Sequence, residues 1–391
     1  MPQAKILFLF NHDAAHQVAH LAGIVRAMAC LPQVRLCCAT SAPAIRNRLA
    51  ALLDEATISR IEWLDISLPT WADRLLSLPN RIAPVKRLAN LDYHARALLD
   101  CDVLVSAERT CLRLRRRQAA LGSTTRFVHV PHGAGDRAVT FHPAKAGFDR
   151  MLVSGEKTAR ELAARGVATP DKIRVIGYAK FDTIDPDARL TLFDNDRPTF
   201  LYNPHFDPFL SSWYDEGPKL LDWFASDEGQ RFNLVFAPHI MLFRKKLHVS
   251  LEYRTARRRP DIAPRWRQAP NILIDVDSER LVDMSYTLSA DAYIGDVSSQ
   301  IYEFLIRPRP VFFIDRFSHD ARSREAHYPA WEAGDVVSSA QALTRLIPSF
   351  ERRLGRYRDR QQALFADTMS HDPARTASQR AVDAILELAG A

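Results

Sequence analysis

Short apolar runs alternate along the chain with stretches of helical periodicity. Lys5–Asn11 (KILFLFN), Val34–Thr40 (VRLCCAT), RIEWLDI, DVLVSA, RFVHVPHG, RMLVSG and IRVIGYAKFD read as strands. Runs of this length, bounded by turn residues, suit a sheet buried on both faces. The segments between them, such as HQVAHLAGIVRAMACL, PAIRNRLAALLDE and EKTARELAARG, place apolar residues at helical spacing. The rhythm stops at IDPDARLTLFDNDRP, residues 184–198, which is rich in Asp and Pro and reads as a linker. It restarts with TFLYNPH, LVFAPH, NILIDV, AYIGD and PVFFID as strands, with SERLVDMSYTLSA and SSQIYEFLI as helical connections. From Ser339 a charged helical stretch runs nearly to the end.

Strands alternating with amphipathic helices imply βαβ units and parallel sheets. The pattern predicts an α/β chain of two Rossmann-like, doubly wound domains facing a cleft. Residues 1–183 form the first, 184–198 the linker, 199–338 the second, and 339–391 C-terminal helices. The length of 391 residues, more than one core usually organises, agrees with two domains. In such sheets ligands bind beyond the carboxyl ends of the strands, which directs attention to His132, Gly133, His205, His239, Asp296 and Ser298.

Composition narrows the class. The five cysteines, Cys30, Cys37, Cys38, Cys101 and Cys111, include no C-x-x-C pair. Their odd number argues against a disulfide framework and for a reducing, cytoplasmic setting. Met1–Phe10 has one Lys before a short apolar run and reads as a buried strand rather than a signal peptide. No run is long enough to span a bilayer. The formal charge of +7 gathers in RLRRR (Arg113–Arg117), FRKK (Phe243–Lys246) and RTARRR (Arg254–Arg259). Such clusters attract anions, or are simply solvated helix faces. Without zinc-finger, RNP-type or helix-turn-helix patterns, nucleic acid is not an expected partner.

Three stretches carry candidate chemistry. In AYIGDVSSQIYEF (Ala292–Phe304) a strand ends in Gly295-Asp296, and Ser298 and Ser299 open a helix. Hydroxyls and unpaired N–H groups at a helix start suit an anion, and Glu303 one turn on suits ribose hydroxyls. Plain capping is the structural alternative. In FAPHIMLF, His239 ends a strand with Arg244, Lys245 and Lys246 beyond it, a set able to hold a phosphate. In FVHVPHGAGD, His132 ends a strand, where an imidazole can take a proton from an attacking hydroxyl. Gly133 and Gly135 let the backbone approach a ligand, but Ala138 stands where a G-x-G-x-x-G would need its last glycine. His12, His16 and His20 share a helical face, and Asp194/Asp196 and Asp275/Asp277 form D-x-D pairs. Neither set has the supporting ligands of a metal centre, so no metal and no cofactor is predicted.

Taken in order, these stretches resemble the CDP-glycerol glycerophosphotransferase family, which includes teichoic-acid primases and polymerases and has the GT-B fold. VPHGAGD resembles the family's His-Gly segment. VIGYAKFD (Val175–Asp182) resembles the next, with Ala179 where proline is usual, and LYNPHF (Leu201–Phe206) the third, with His205 in place of threonine. FAPHIML and GDVSSQIYEFLIRPRPVFFID resemble the last two. The resemblance runs from about Phe127 to Asp315. It implies that His132 is the general base and that His239, Ser298 and Ser299 hold the donor phosphates while Asp296 orders its turn. Gly133, Glu303 and His205 join the donor lining, with Arg244 and Lys245 as electrostatic support. It further implies a CDP-alditol donor, a hydroxyl acceptor on a lipid-linked polymer, and contact with anionic membrane at its inner face. The departures at Ala179 and His205 leave the transferred group open: glycerol phosphate, ribitol phosphate or a sugar. A GT-B glycosyltransferase using a UDP- or CMP-sugar, a sugar-nucleotide 2-epimerase, and a non-catalytic nucleotide- or polyanion-binding protein are the alternative readings.

Overall fold

β1 (Ala4–Phe10) is buried along almost its whole length because it lies in the middle of a sheet with cover on both faces. Successive side chains of a strand point to opposite faces. Ile6, Phe8 and Phe10 enter one core with the helix Ala19–Ala29, while Leu7 and Leu9 enter another with Leu91, Leu98, Leu114 and Leu162. The computed structural model describes residues 3–11, 15–81, 84–133, 138–296, 298–315 and 328–390.

The chain divides into two units, residues 1–185 with 367–391, and residues 186–366. The first holds a seven-stranded sheet in the order β3-β2-β1-β4-β5-β6-β7. Its other strands are β2 (Val34–Thr40), β3 (Ile61–Asp65), β4 (Val103–Ser106), β5 (Arg126–His129), β6 (Arg150–Val153) and β7 (Ile173–Val175). All pair in parallel, β1 meeting β2 at Ala4–Val34 and β4 at Ile6–Val103. The second holds β8 (Thr199–Asn203), β9 (Asn233–Phe236), β12 (Ile272–Ile274), β13 (Ala292–Gly295), β14 (Val311–Ile314) and β15 (Asp335–Val337). They form a parallel sheet of order β12-β9-β8-β13-β14-β15, beside a separate hairpin of β10 (Leu247–Ser250) and β11 (Thr255–Arg258). Counted within its own unit, that order is 3-2-1-4-5-6, the doubly wound Rossmann arrangement, and the first unit extends the same order by one strand. The switch in winding direction falls between β1 and β4 in one unit and between β8 and β13 in the other.

The helix Ala377–Ala389 packs into the first unit. Ala377, Ala381, Val382, Ala384 and Ile385 are buried with Ile6 and Phe8, and each large apolar side chain there stabilises by about 2 kcal/mol. A capping box between Thr376 and Gln379 starts this helix, and Gly390 in the left-handed region ends it. Gly23 sits where this helix crosses Ala19–Ala29; a Cβ there would lie 2.6 Å from Ser378 Oγ, so only glycine permits the approach. Gly177, with φ +87°, turns the chain after β7 against Ala377 and Arg380. Asp182 then accepts the Ser378 N–H at 2.6 Å. The VIGYAKFD stretch is therefore a docking site for this helix, and Ala179 is buried in the same core rather than lining a donor site.

Candidate functional site

At the winding switch of the second unit, three neighbouring strands bring their carboxyl ends together. β8 runs into Asn203-Pro204-His205, β9 into Ala237-Pro238-His239, and β13 into Gly295-Asp296. The Asp296 carboxylate is buried and accepts the backbone N–H groups of His205 at 2.9 Å and Ser212 at 3.0 Å, tying the loop after β8 to the end of β13. Beneath it, Asn203 donates to Ala237 O at 2.7 Å and accepts from the Tyr293 hydroxyl at 3.2 Å. Burial, first, and the Asp296 charge push the Tyr202 and Tyr293 hydroxyls well above the usual tyrosine range, so both stay protonated as structural donors.

His205 and His239 stand with ring centroids 5.3 Å apart, and Phe206 packs on both. His205 Nδ1 accepts the N–H of Asp207 at 3.0 Å, and His239 Nδ1 accepts the N–H of Met241 at 3.2 Å. An amide N–H only donates, so each neutral ring carries its proton on Nε2. His248, on β10, is buried nearby and donates from Nε2 to Leu242 O at 2.9 Å, closing the loop that carries Arg244 and Lys245. Both of those side chains are exposed. Sequence reasoning missed Phe206 and His248; an aromatic next to His205 was the only signal for the first.

Ser298 and Ser299 lie before a short helix, Gln300–Phe304. The Ser298 hydroxyl accepts the Gln300 N–H at 3.3 Å, while Ser299, the N-cap residue, is exposed and makes no side-chain cap. Glu303 faces inward and is buried. The Asp275–Asp277 pair is a turn: Asp275 accepts from the Ser278 hydroxyl and backbone and from Tyr286 Oη at 2.7 Å.

In the first unit, His132 follows β5 and is exposed. Its Nδ1 lies 3.3 Å from Ala107 O. A carbonyl only accepts, so Nδ1 carries the proton and Nε2 keeps its lone pair. His20 stands beside it, ring centroids 6.4 Å apart, and touches Tyr178. Gly133 follows; Gly135 and Asp136 of the HGAGD stretch, and His12, lie outside the described residues. The buried His129 imidazole is pushed well below the usual histidine range by burial, then by the charges of Lys145 and His132. Much of the basic charge is paired: Arg113 with Asp92, Arg115 with Asp149, Arg257 with Asp215 at 2.5 and 2.8 Å, and Arg259 with Asp261.

Residues 246–387 match the model of the CDP-glycerol:poly(glycerophosphate) glycerophosphotransferase family. That span contains Asp296, Ser298, Ser299 and Glu303. No curated protein matches the chain. Among solved structures, the wall teichoic acid polymerase TagF is similar at 16% identity and a TM-score of 0.63, covering 100% of this chain and 90% of its own. A UDP-GlcNAc 2-epimerase from Neisseria meningitidis, bound to UDP-GlcNAc, is similar at 12% identity and a TM-score of 0.60, over 98% of this chain and 100% of its own. S. aureus MnaA in complex with UDP follows at 14% and 0.58, over 99% and 96%. These likenesses establish the GT-B-like fold. Residues 246–387 thus carry the pattern of the CDP-glycerol:poly(glycerophosphate) glycerophosphotransferase family on a chain with a GT-B-like fold.

Proposed function

We propose that the chain moves an alditol phosphate of the glycerol phosphate kind from a CDP-linked donor to a hydroxyl of a cell-envelope polymer or lipid-linked acceptor. The observation that carries this reading is the opposite tautomers of its strand-end histidines. His132 offers a lone pair at Nε2, the state a general base needs. His239 and His205 offer an N–H at Nε2, the state a phosphate oxygen needs. Further support comes from the family match and from a TagF variant solved after soaking with CDPG.

In this mechanism the acceptor hydroxyl gives its proton to His132 Nε2 as its oxygen attacks the phosphorus that bears the alditol. The bond from that phosphorus to the CMP oxygen breaks, and CMP leaves with the electron pair. His239 and His205 donate to the phosphate oxygens, with Ser298, Ser299, Arg244 and Lys245 in support, Asp296 holding the His205 loop and Glu303 beneath the nucleotide. No metal ion is required in this scheme.

Membrane contact has a candidate surface. Trp71, Leu75 and Leu78 are exposed by 70%, 70% and 69%, at spacings that put them on one side of the segment that starts with the helix Thr70–Leu75, with Arg74 exposed beside them. Among the described residues no helix is long and apolar enough to cross a membrane. We assign this patch to peripheral contact with an anionic bilayer at the cytoplasmic face.

The reading is tested by thermal shift with CDP-glycerol, CDP-ribitol, UDP-sugars and CMP-sugars, followed by CMP release. Stabilisation by a CDP-alditol and CMP release that His132→Ala lowers about 10²–10⁴-fold, with donor binding kept, is the expected result. Stabilisation by UDP-sugars alone moves the assignment to a glycosyltransferase or epimerase.

A further inference from the structure

His132 is exposed, and its Nδ1 lies 3.3 Å from Ala107 O, at the long end of a hydrogen bond. One long bond does not fix the plane of an imidazole. A general base needs its free nitrogen aimed at the hydroxyl within a narrow range of angle and distance. Something else has to hold the ring.

His20 is placed to do so. It is buried, and its ring centroid lies 6.4 Å from that of His132, with 61° between the planes. Aromatic pairs with centroids about 4.5–7 Å apart and one edge toward the other face attract each other. Tyr178, also buried, packs on the His20 ring at 5.5 Å, and Phe181 packs on Tyr178 at 5.1 Å. The backbone behind these rings is pinned. His20 is in the first turn of Ala19–Ala29, where Gly23 allows close approach to Ser378 and Arg26 donates to Asp182 O at 2.7 Å. Tyr178 follows Gly177, whose φ of +87° turns the chain against Ala377. The row His132, His20, Tyr178, Phe181 therefore runs from the strand end to the segment on which the helix Ala377–Ala389 docks.

We propose that His20 is a positioning residue for His132: its ring fixes the plane of the His132 imidazole, so that Nδ1 stays on Ala107 O and Nε2 keeps its lone pair for the acceptor. The assignment rests on His132 as the proposed base. The contact calls for a flat ring of this width rather than for a titratable nitrogen, so phenylalanine at position 20 can take over the task. His20 acts through His132 and has no effect of its own on the donor.

Two measurements test this. Long-range ¹H–¹⁵N spectra of the histidine side chains, in mildly alkaline buffer, read the His132 tautomer with no ligand present. The wild type is expected to show one species protonated on Nδ1, His20→Ala a mixture of both neutral tautomers, and His20→Phe the single species again. The second measurement is CMP release from CDP-glycerol, with envelope lipids of the source organism as acceptor. His20→Ala is expected to lower kcat about 10–100-fold with KM for CDP-glycerol unchanged, and His20→Phe to recover most of the loss. The double variant His20→Ala/His132→Ala is expected to be no slower than His132→Ala alone. A thermal melt of each variant verifies folding, and if His20→Ala melts early, His20→Leu fills the space without a flat ring and carries the same expectations. An unchanged tautomer in His20→Ala, or losses that multiply in the double variant, overturns the assignment. If no CDP-alditol turns over, the donor reading fails, and the spectra alone decide whether His20 positions His132.

Discussion

His205 and His239, at the ends of neighbouring strands β8 and β9, hold their rings 5.3 Å apart and both receive a backbone N–H on Nδ1. The shared pattern matters more than the proximity, because it makes both rings donors at the far nitrogen. A glutamine places its amide NH₂ near the Nε2 position of histidine, and an asparagine places its amide near Nδ1. His239→Gln is expected to keep most of the affinity for a CDP-alditol. His239→Asn is expected to lose roughly 10–150-fold, the value of one charge-assisted bond of about 1.5–3 kcal/mol. Titration of CDP-glycerol into both variants checks this, and equal losses would remove His239 from the phosphate.

Asp296 holds two backbone donors across the switch point. Asp296→Asn replaces a charged acceptor with a weaker one and sets an NH₂ among buried groups. A stability loss of about 2 kcal/mol is expected, with weaker donor binding because the His205 loop loosens. Urea unfolding gives the first quantity. An unchanged midpoint would show that the loop is held without the carboxylate.

Lys145 makes a statement about pH. Its amine titrates near 8 when folded, below its usual 10.5. The unfolded chain therefore binds more protons between these values, and stability rises as pH climbs from about 8 to 10.5. Below pH 8 the full penalty is present, on the order of 3 kcal/mol as an upper bound. Lys145→Met is expected to be more stable than wild type at pH 7 and to lose that advantage by pH 10. Denaturation at both pH values measures the difference.

Trp71→Ser combined with Leu75→Ser is expected to abolish sedimentation with vesicles rich in anionic phospholipid, while the melting temperature stays within a few degrees because both side chains are exposed. Retained sedimentation would return the membrane role to the basic clusters.

The seven strands of the first sheet were legible because each is a short apolar run ending at a turn signal. In the second unit, β15 was missed: it is three residues long and only Asp335 is buried. The hairpin β10–β11 was read as a basic cluster because Leu247 and Val249 face solvent and arginines fill the partner strand. Strand-end histidines were legible from position alone. Their tautomers were not, since these depend on which backbone group lies 3 Å away. Glu303 reads equally well as a surface or an inward residue from its spacing, and the fold turns it inward. Trp71, Leu75 and Leu78 were visible at i, i+4 and i+7, but that spacing more often marks a buried face. Arg113, Arg115 and Arg257 looked like free charge because their acidic partners, Asp92, Asp149 and Asp215, lie far away in sequence.

The helix Ala377–Ala389 supplies part of the core beneath β1, and Asp182 waits for the N–H of Ser378. During synthesis, residues 1–185 leave the ribosome long before that helix exists. The second unit, residues 186–366, is contiguous, whereas the first has its seven strands early and its last helix after residue 366. The first unit to be made is thus the last to have all its parts, because the core around Leu21, Ile24 and Val25 also takes Ala381, Val382 and Ile385. The unit carrying His132 is made first, yet the helix that fills its core is made after all of residues 186–366.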